Sequence, residues 1–388
     1  MKARNRCLLS LLAICVAMPS FAAEKKKSPR DILLSIVRKR RRRHLMPAVG
    51  AAVIIKGKLA AVATDGFRAS TKKVAVTDND LFHIGSCTKA MTATLIAKLV
   101  EQGKLKWEST LPELLPKMAK LIHPELRQVT LEHLLSHQSG LVANIPKGKS
   151  FAKLHDLKGS PRKQRMEYAK MLLAAPPLHK LGTKYAYSNA GYALTGVIAE
   201  ETMNLGWEEL MEKHVFAPLK MTRVGHGSMG TPGKIDQPWQ HRSLLGLPIP
   251  VQPGPRSDNP VAIGPAGRVH CSLTAWSKFV AAHLAGARGK SNLLKKETFK
   301  RLQTPKYGGS YACGWLAVKR NWAGGTALNH AGSNTMNFAV TWIAPKKNFA
   351  VLIVTNHGGG FALCDGVATD CIGAFLMPKK KKNQSTKK

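Results

Sequence analysis

Strand-forming runs gather at the two ends of this chain and are nearly absent between them. Val49 to Ile55 is rich in β-formers, Lys56-Gly57-Lys58 turns the chain, and Leu59 to Ala63 returns, which together read as a hairpin. At the far end Tyr311–Val318, Thr326–His330, Asn337–Ile343 and Phe349–Val354 are short strand-type runs separated by Gly, Asn and Pro-Lys-Lys-Asn turns. From about 105 to 300 the pattern is mainly helical, broken by Pro/Gly-rich loops. Apolar strands at opposite ends can hide their faces by pairing into one antiparallel sheet, with the helical middle as an insertion. The expected fold class is α+β, an α/β sandwich of an antiparallel sheet flanked by helices.

Helix signals fill in the frame. Ser28-Pro29-Arg30-Asp31 opens a helix with a cap, a first-turn proline and a short capping-box partner. Met91, Leu95, Ile96, Leu99 and Val100 recur at helical spacing over about 86–102, and Gly103 closes that helix. Further helices are expected at 130–136, 191–201, 207–215, 272–285 and 361–376. The stretch 229–265 reads as a long surface loop or lid.

The ends carry different information. Met1 to Arg6 is basic, Leu8 to Met18 is an apolar run, and Ser20-Phe21-Ala22 offers small residues for cleavage. Residues 1–22 are expected to be a secretory signal, which makes the mature protein exported, periplasmic or secreted. Ile14 before Cys15 is too bulky for a good lipidation site. Residues 23–45 form a basic arm and helix, 46–377 the main domain, and 378–388 a basic tail. Lys and Arg total 60 against 22 Asp and Glu, a formal charge of +38. Runs such as Arg38–Arg43 and Lys379–Lys382 suit an anionic cell-envelope polymer or membrane surface, or else a solvated basic tail. No nucleic-acid motif is present, and hydrophobic residues at 44% exclude general disorder. Five cysteines follow the signal, an odd number with no metal or disulfide framework in their spacing. A monomer is expected.

Ser86-Cys87-Thr88-Lys89 is the leading candidate for chemistry. Ser-x-x-Lys occurs five times, starting at Ser70, Ser86, Ser150, Ser160 and Ser385, but only Ser86 stands where a loop enters a strongly periodic helix. Spacing of three puts both side chains on one helix face, and a helix start offers free amides to developing negative charge. A hydroxyl needs an adjacent base to attack, and a half-desolvated lysine can supply one. Tyr187-Ser188-Asn189 is the one Tyr-x-Asn, placed in a loop before a helix. A tyrosine beside a lysine can share its proton, and Asn189 can bind a substrate amide. His330-Ala331-Gly332 ends a strand run. Gly332 is expected to let substrate lie close to that strand, and the Ser333 amide to join that of Ser86 in an oxyanion hole. Cys87 points away from the Lys89 face and reads as a core residue.

These three elements, in this order, resemble the serine β-lactamase and penicillin-binding-protein group, closest to its class C β-lactamase, DD-carboxypeptidase and esterase branch. Phe82-His83-Ile84-Gly85-Ser86, His133-Leu134-Leu135-Ser136-His137-Gln138-Ser139-Gly140-Leu141, Tyr187-Ser188-Asn189-Ala190-Gly191-Tyr192 and Gly264-Pro265-Ala266-Gly267 are similar to that family's text. The resemblance spans about 30 to 375 and implies a β-lactamase/transpeptidase-like fold. It implies Ser86 as acylated nucleophile and Lys89 as proton acceptor. It implies Tyr187 as donor to the leaving group and activator of the deacylating water, Asn189 orienting the acyl side chain, and His330 facing the substrate's carboxylate end. The implied activity is cleavage of an amide or ester bond, with no cofactor. In that resemblance, dedicated class C β-lactamases carry Lys where this chain has His330, while peptidase and esterase members also carry His there. A neutral His holds an anion less well, so weak β-lactam turnover that improves toward pH 6 is expected.

Two rival readings stay open here. His133 and His137 have ligand spacing, but Leu134 and not a glutamate follows the first of them, and no third ligand accompanies the pair, so no metal is expected. A catalytically silent relative that binds anionic envelope polymer would keep the fold without needing Lys89 and Tyr187.

Overall fold

The computed structural model describes residues 27–377. The expected signal, 1–22, and the basic tail, 378–388, lie outside the described residues. In chain order the strands are β1 (Ala48–Ile55), β2 (Lys58–Ala69), β3 (Lys72–Ala75), β4 (Phe82–His83), β5 (Val224–His226), β6 (Gln240–Leu244), β7 (Leu247–Val251), β8 (Val269–Cys271), β9 (Leu316–Arg320), β10 (Gly325–Ser333), β11 (Phe338–Ala344) and β12 (Phe349–Thr355). The helices are α1 (Pro29–His44), α2 (Thr88–Glu101), α3 (Leu111–Leu114), α4 (Leu131–Leu135), α5 (Pro161–Leu173), α6 (Asn189–Met203), α7 (Trp207–Met211), α8 (Gly264–Gly267), α9 (Leu273–Gly286), α10 (Lys296–Gln303) and α11 (Phe361–Phe375).

The two ends of the chain do meet. Seven strands form one sheet in the order β3-β2-β1-β12-β11-β10-β9, and its neighbours run antiparallel. The first and last strands zip together at its centre, Val49 opposite Thr355 through Ile55 opposite Phe349. Side chains alternate between faces along each strand. Ala350, Leu352 and Val354 therefore join the core under α2 and α9, while Val351 and Ile353 join the core under α1 and α11. Every residue of β12 is buried, which is why its sequence is a continuous apolar run and not an alternation.

α1 is capped as its sequence indicates: the Ser28 hydroxyl accepts from the Asp31 amide, and Asp31 accepts from the Ser28 amide. Leu33 and Val37 bury its inner face. Half of the Arg38–Arg43 run is engaged internally, with Arg40 on Asp370 and both Arg38 and Arg41 on Asp65. Lys39, Arg42 and Arg43 are left exposed.

Three local differences from the sequence reading stand out. β2 runs on to Ala69 and pairs with the short, exposed β3. The stretch 229–265 contains the β6–β7 hairpin, whose exposed tip is Leu244-Leu245-Gly246-Leu247. β9 begins at Leu316, and Tyr311 only bridges back to it.

Candidate active site

β4 delivers the chain into the site. It pairs with β8, and buried His83 receives the Gly85 amide at Nδ1 (3.0 Å), leaving Nε2 to bind Asp258 (3.0 Å). Gly85–Cys87 then makes a 3₁₀ turn before α2 begins at Thr88. The α-helix was expected to include Ser86, but Ser86 lies in this tighter turn. There residues three apart eclipse one another, which stacks Ser86 over Lys89. β10 crosses directly over the turn because two glycines permit it. A Cβ on Gly332 would stand 2.6 Å from the Ser86 nitrogen, and one on Gly85 would stand 2.6 Å from the Gly332 carbonyl carbon. Gly85 also has φ +50, a conformation that costs other residues. Gly332 was expected to make room for substrate; its bare face meets the nucleophile turn instead. The same contact brings the Ser86 nitrogen against Gly332 and the Ser333 nitrogen against Gly85, while the Ser333 hydroxyl donates to the Asn337 carbonyl.

Lys89 is fully buried in the helical core, with Nζ aimed at three oxygens. It lies 3.1 Å from Ser86 Oγ, 2.6 Å from Asn189 Oδ1 and 2.7 Å from the Ala266 carbonyl. Burial drives its pKa well below the ordinary lysine value, with an opposing effect from Cys87. A neutral amine has two protons and one lone pair. Asn189 Oδ1 and the Ala266 carbonyl can only accept, so they take the two protons. The lone pair is left for Ser86, the one partner of the three that can give a proton.

Tyr187 lies beside this pair, with Lys89 Nζ 4.8 Å from its ring centre. Burial raises the phenol's pKa above its ordinary value, and the neighbouring Ser86 hydroxyl opposes that rise. The phenol is therefore a proton holder and not a ready base. Asn189, expected to reach the substrate, spends Oδ1 on Lys89 and donates Nδ2 to Asn144 Oδ1 (2.8 Å). Its carboxamide is a support for the lysine.

His330 was expected to face the substrate's anionic end and to gain charge near pH 6. Its Nδ1 lies 2.6 Å from the Ala331 carbonyl and so carries the proton; Nε2 accepts from the Tyr311 hydroxyl at 3.0 Å. Burial, helped by Lys89, lowers its pKa to about 3. His330 stays neutral at pH 6, so the expected acid-side improvement has no group to carry it.

Sequence reasoning gave no role in the site to Asn144, Ala266, Tyr311 or, above all, His137, which it weighed only as a metal ligand. His137 sits at φ +60, fully buried. Its carbonyl accepts from the Ala186 amide (3.0 Å), its Nδ1 from the Ser188 amide (3.0 Å), and its ring packs 4.4 Å from that of Tyr187. It thus grips the loop on both sides of Tyr187. His133 turns elsewhere, binding Thr130 and stacking on Tyr307, so the two histidines do not converge as a ligand pair. Cys87, Cys271, Cys313, Cys364 and Cys371 are all buried free thiols.

Comparison with known proteins agrees with this architecture. The family model described as Beta-lactamase matches residues 33–365. Penicillin-binding protein 4 of Amycolatopsis lactamdurans is 30% identical over 63% of this chain and 61% of its own length. A Beta-lactamase of Providencia stuartii is 27% identical over 54% of this chain and 49% of its own. The chain thus spans about half to three-fifths of these curated relatives. Among solved structures, the octameric penicillin-binding protein homologue from Pyrococcus abyssi superimposes with TM-score 0.72 at 23% identity, covering 89% of this chain and 76% of that one. The Beta-Lactamase/D-Alanine Carboxypeptidase from Pseudomonas syringae gives 0.70 at 19% identity, covering 89% and 99%. Those likenesses show the β-lactamase/transpeptidase-like fold, and the family match over most of the length identifies the chain as a member of the beta-lactamase family of serine hydrolases.

Proposed function

We propose that this protein is an exported serine hydrolase that cleaves an amide or ester bond through an acyl-enzyme on Ser86, in the manner of a DD-peptidase or esterase. The observation that carries the reading is the set of partners around Lys89: two oxygens that can only accept, and one hydroxyl that can donate. Neutral Lys89 takes the Ser86 proton as Oγ attacks the carbonyl carbon. The Ser86 and Ser333 amides receive the developing oxyanion, an interaction worth about 3–4 kcal/mol per donor in comparable sites. Tyr187 gives its proton to the leaving amine or alcohol and is reprotonated from Lys89, which returns the base to neutrality. In deacylation water loses its proton to the same Lys89–Tyr187 pair, and Ser86 recovers it.

Neutral His330, with both ring nitrogens occupied, supplies no charge for a substrate carboxylate, which favours ester substrates over β-lactams. The test is one preparation assayed against p-nitrophenyl esters, D-Ala-D-Ala peptides and nitrocefin, beside Ser86→Ala. Ester or peptide turnover above nitrocefin turnover, abolished in Ser86→Ala, is expected. Turnover that survives Ser86→Ala refutes the reading.

A further inference from the structure

We infer that a groove beside the site holds the anionic chain of a phosphate-bearing polymer, and that the bond cleaved at Ser86 is borne by that chain; the second half rests on the hydrolase reading above. A hollow of about 780 Å³ lies between α10 and the β9 edge of the large sheet. Five cations line it, Lys296, Lys300, Lys319, Arg320 and Lys346, and no carboxylate does. Among the described residues none of the five is in an ion pair. Arg301, on the same helix, does have acidic partners, Glu108 and Glu132. Helix α10 therefore sorts its charges, turning Lys296 and Lys300, one turn apart on one face, into the hollow. Lys346 lies flat over Gly325, where a Cβ would stand 3.3 Å from its Cδ, Cε and Nζ.

The groove adjoins the aromatic residues that pack around His137. A second hollow of about 410 Å³ shares Gly308 and Gly309 with it and is walled by Tyr185 and Tyr311. Those rings pack on His137, and Tyr311 holds His330. Unpaired like charges repel one another, so a groove of this kind suits an anion that neutralises several at once. Four of the five are lysines, point charges that bind phosphate without demanding the flat two-pronged geometry of a carboxylate.

Overall positive charge alone attracts polyanions, so the test compares two variants of equal charge in the full chain. One carries Lys296→Gln, Lys300→Gln, Lys319→Gln and Lys346→Gln. The other removes four exposed cations outside the groove's lining, Lys72→Gln and Lys73→Gln on β3, the opposite edge of the sheet, and Lys117→Gln and Lys120→Gln after α3. Binding of fluorescent poly(glycerol phosphate) is measured against salt, with polyglutamate and single-stranded DNA as competitors. The groove variant is expected to bind at least tenfold more weakly, with the salt slope reduced by about 3 (roughly 0.7 per lost phosphate contact), and the control within threefold of the parent. Equal losses in both variants, no loss in the groove variant, or equal competition by polyglutamate or DNA overturns the groove. In a separate arm, an ester carried on poly(glycerol phosphate) should show a KM raised tenfold by the groove variant, while a neutral p-nitrophenyl ester is unaffected. Binding as expected, without hydrolysis of either ester, overturns the substrate assignment and leaves the groove standing.

Discussion

Asn189→Asp tests the proton inventory at Lys89 with almost no change of shape. The new carboxylate would lie where Asn189 Oδ1 now stands, 2.6 Å from Lys89 Nζ. At that separation and an effective dielectric of about 20, opposite unit charges attract by about 6 kcal/mol. Burying the carboxylate takes back part of this, roughly half, which leaves about 3 kcal/mol, or some two pK units, favouring charged Lys89. The sign follows directly. Attack needs neutral Lys89, so a raised lysine pKa moves the acidic limb of the rate profile upward. On the acidic side of the new limb kcat/KM for a p-nitrophenyl ester falls by up to about 100-fold, and it recovers as pH rises. Stopped-flow acylation from pH 5 to 10, beside thermal melts, reads both effects. A variant that melts like the parent and keeps its rate and pH profile would refute the assignment of Lys89 as the neutral base.

Three further expectations come from other parts of the site. Gly332→Ala drives a methyl into the Ser86 turn and should cost about 1–3 kcal/mol in denaturant melts, with a larger fractional loss of kcat than of binding. His137→Ala frees the Tyr187 loop; kcat should fall at least tenfold with KM little changed, while His137→Asn, which tolerates the positive φ, recovers part of the loss. Burial holds His226, His241 and His270 at about 4 and His283 and His330 at about 3. The unfolded chain therefore binds more protons between about pH 6.5 and 4, each histidine withdrawing up to roughly 1.4 kcal/mol per pH unit, so Tm should fall steadily on acidification through that window.

Sequence revealed the sheet's centre and the first helix because their signals are local. β1 and β12 are unbroken apolar runs, and Ser28 with Asp31 forms a cap within one turn. It hid β3, whose Lys72-Lys73-Val74-Ala75 is exposed at an edge, and β7, whose Pro248 and Pro250 mimic a loop although an edge strand tolerates proline. Ser86, Lys89 and Tyr187 could be singled out by spacing and by the elements around them. The direction of Asn189 could not, because it depends on the carbonyl of Ala266 and the side chain of Asn144, distant in sequence and joined only by folding. His330 misled for a related reason: Tyr311, which keeps it occupied, lies on a segment that read as plain strand.

Adduct mapping on the intact protein reaches the central claim most directly. The full chain is treated with a fluorescent penicillin or a fluorophosphonate, digested, and the modified peptide sequenced by mass spectrometry. A single covalent adduct on the Ser86 hydroxyl, absent in Ser86→Ala and at least 100-fold slower to form in Lys89→Ala, is predicted. Labelling of another residue, or equal labelling of Ser86→Ala, would contradict the account.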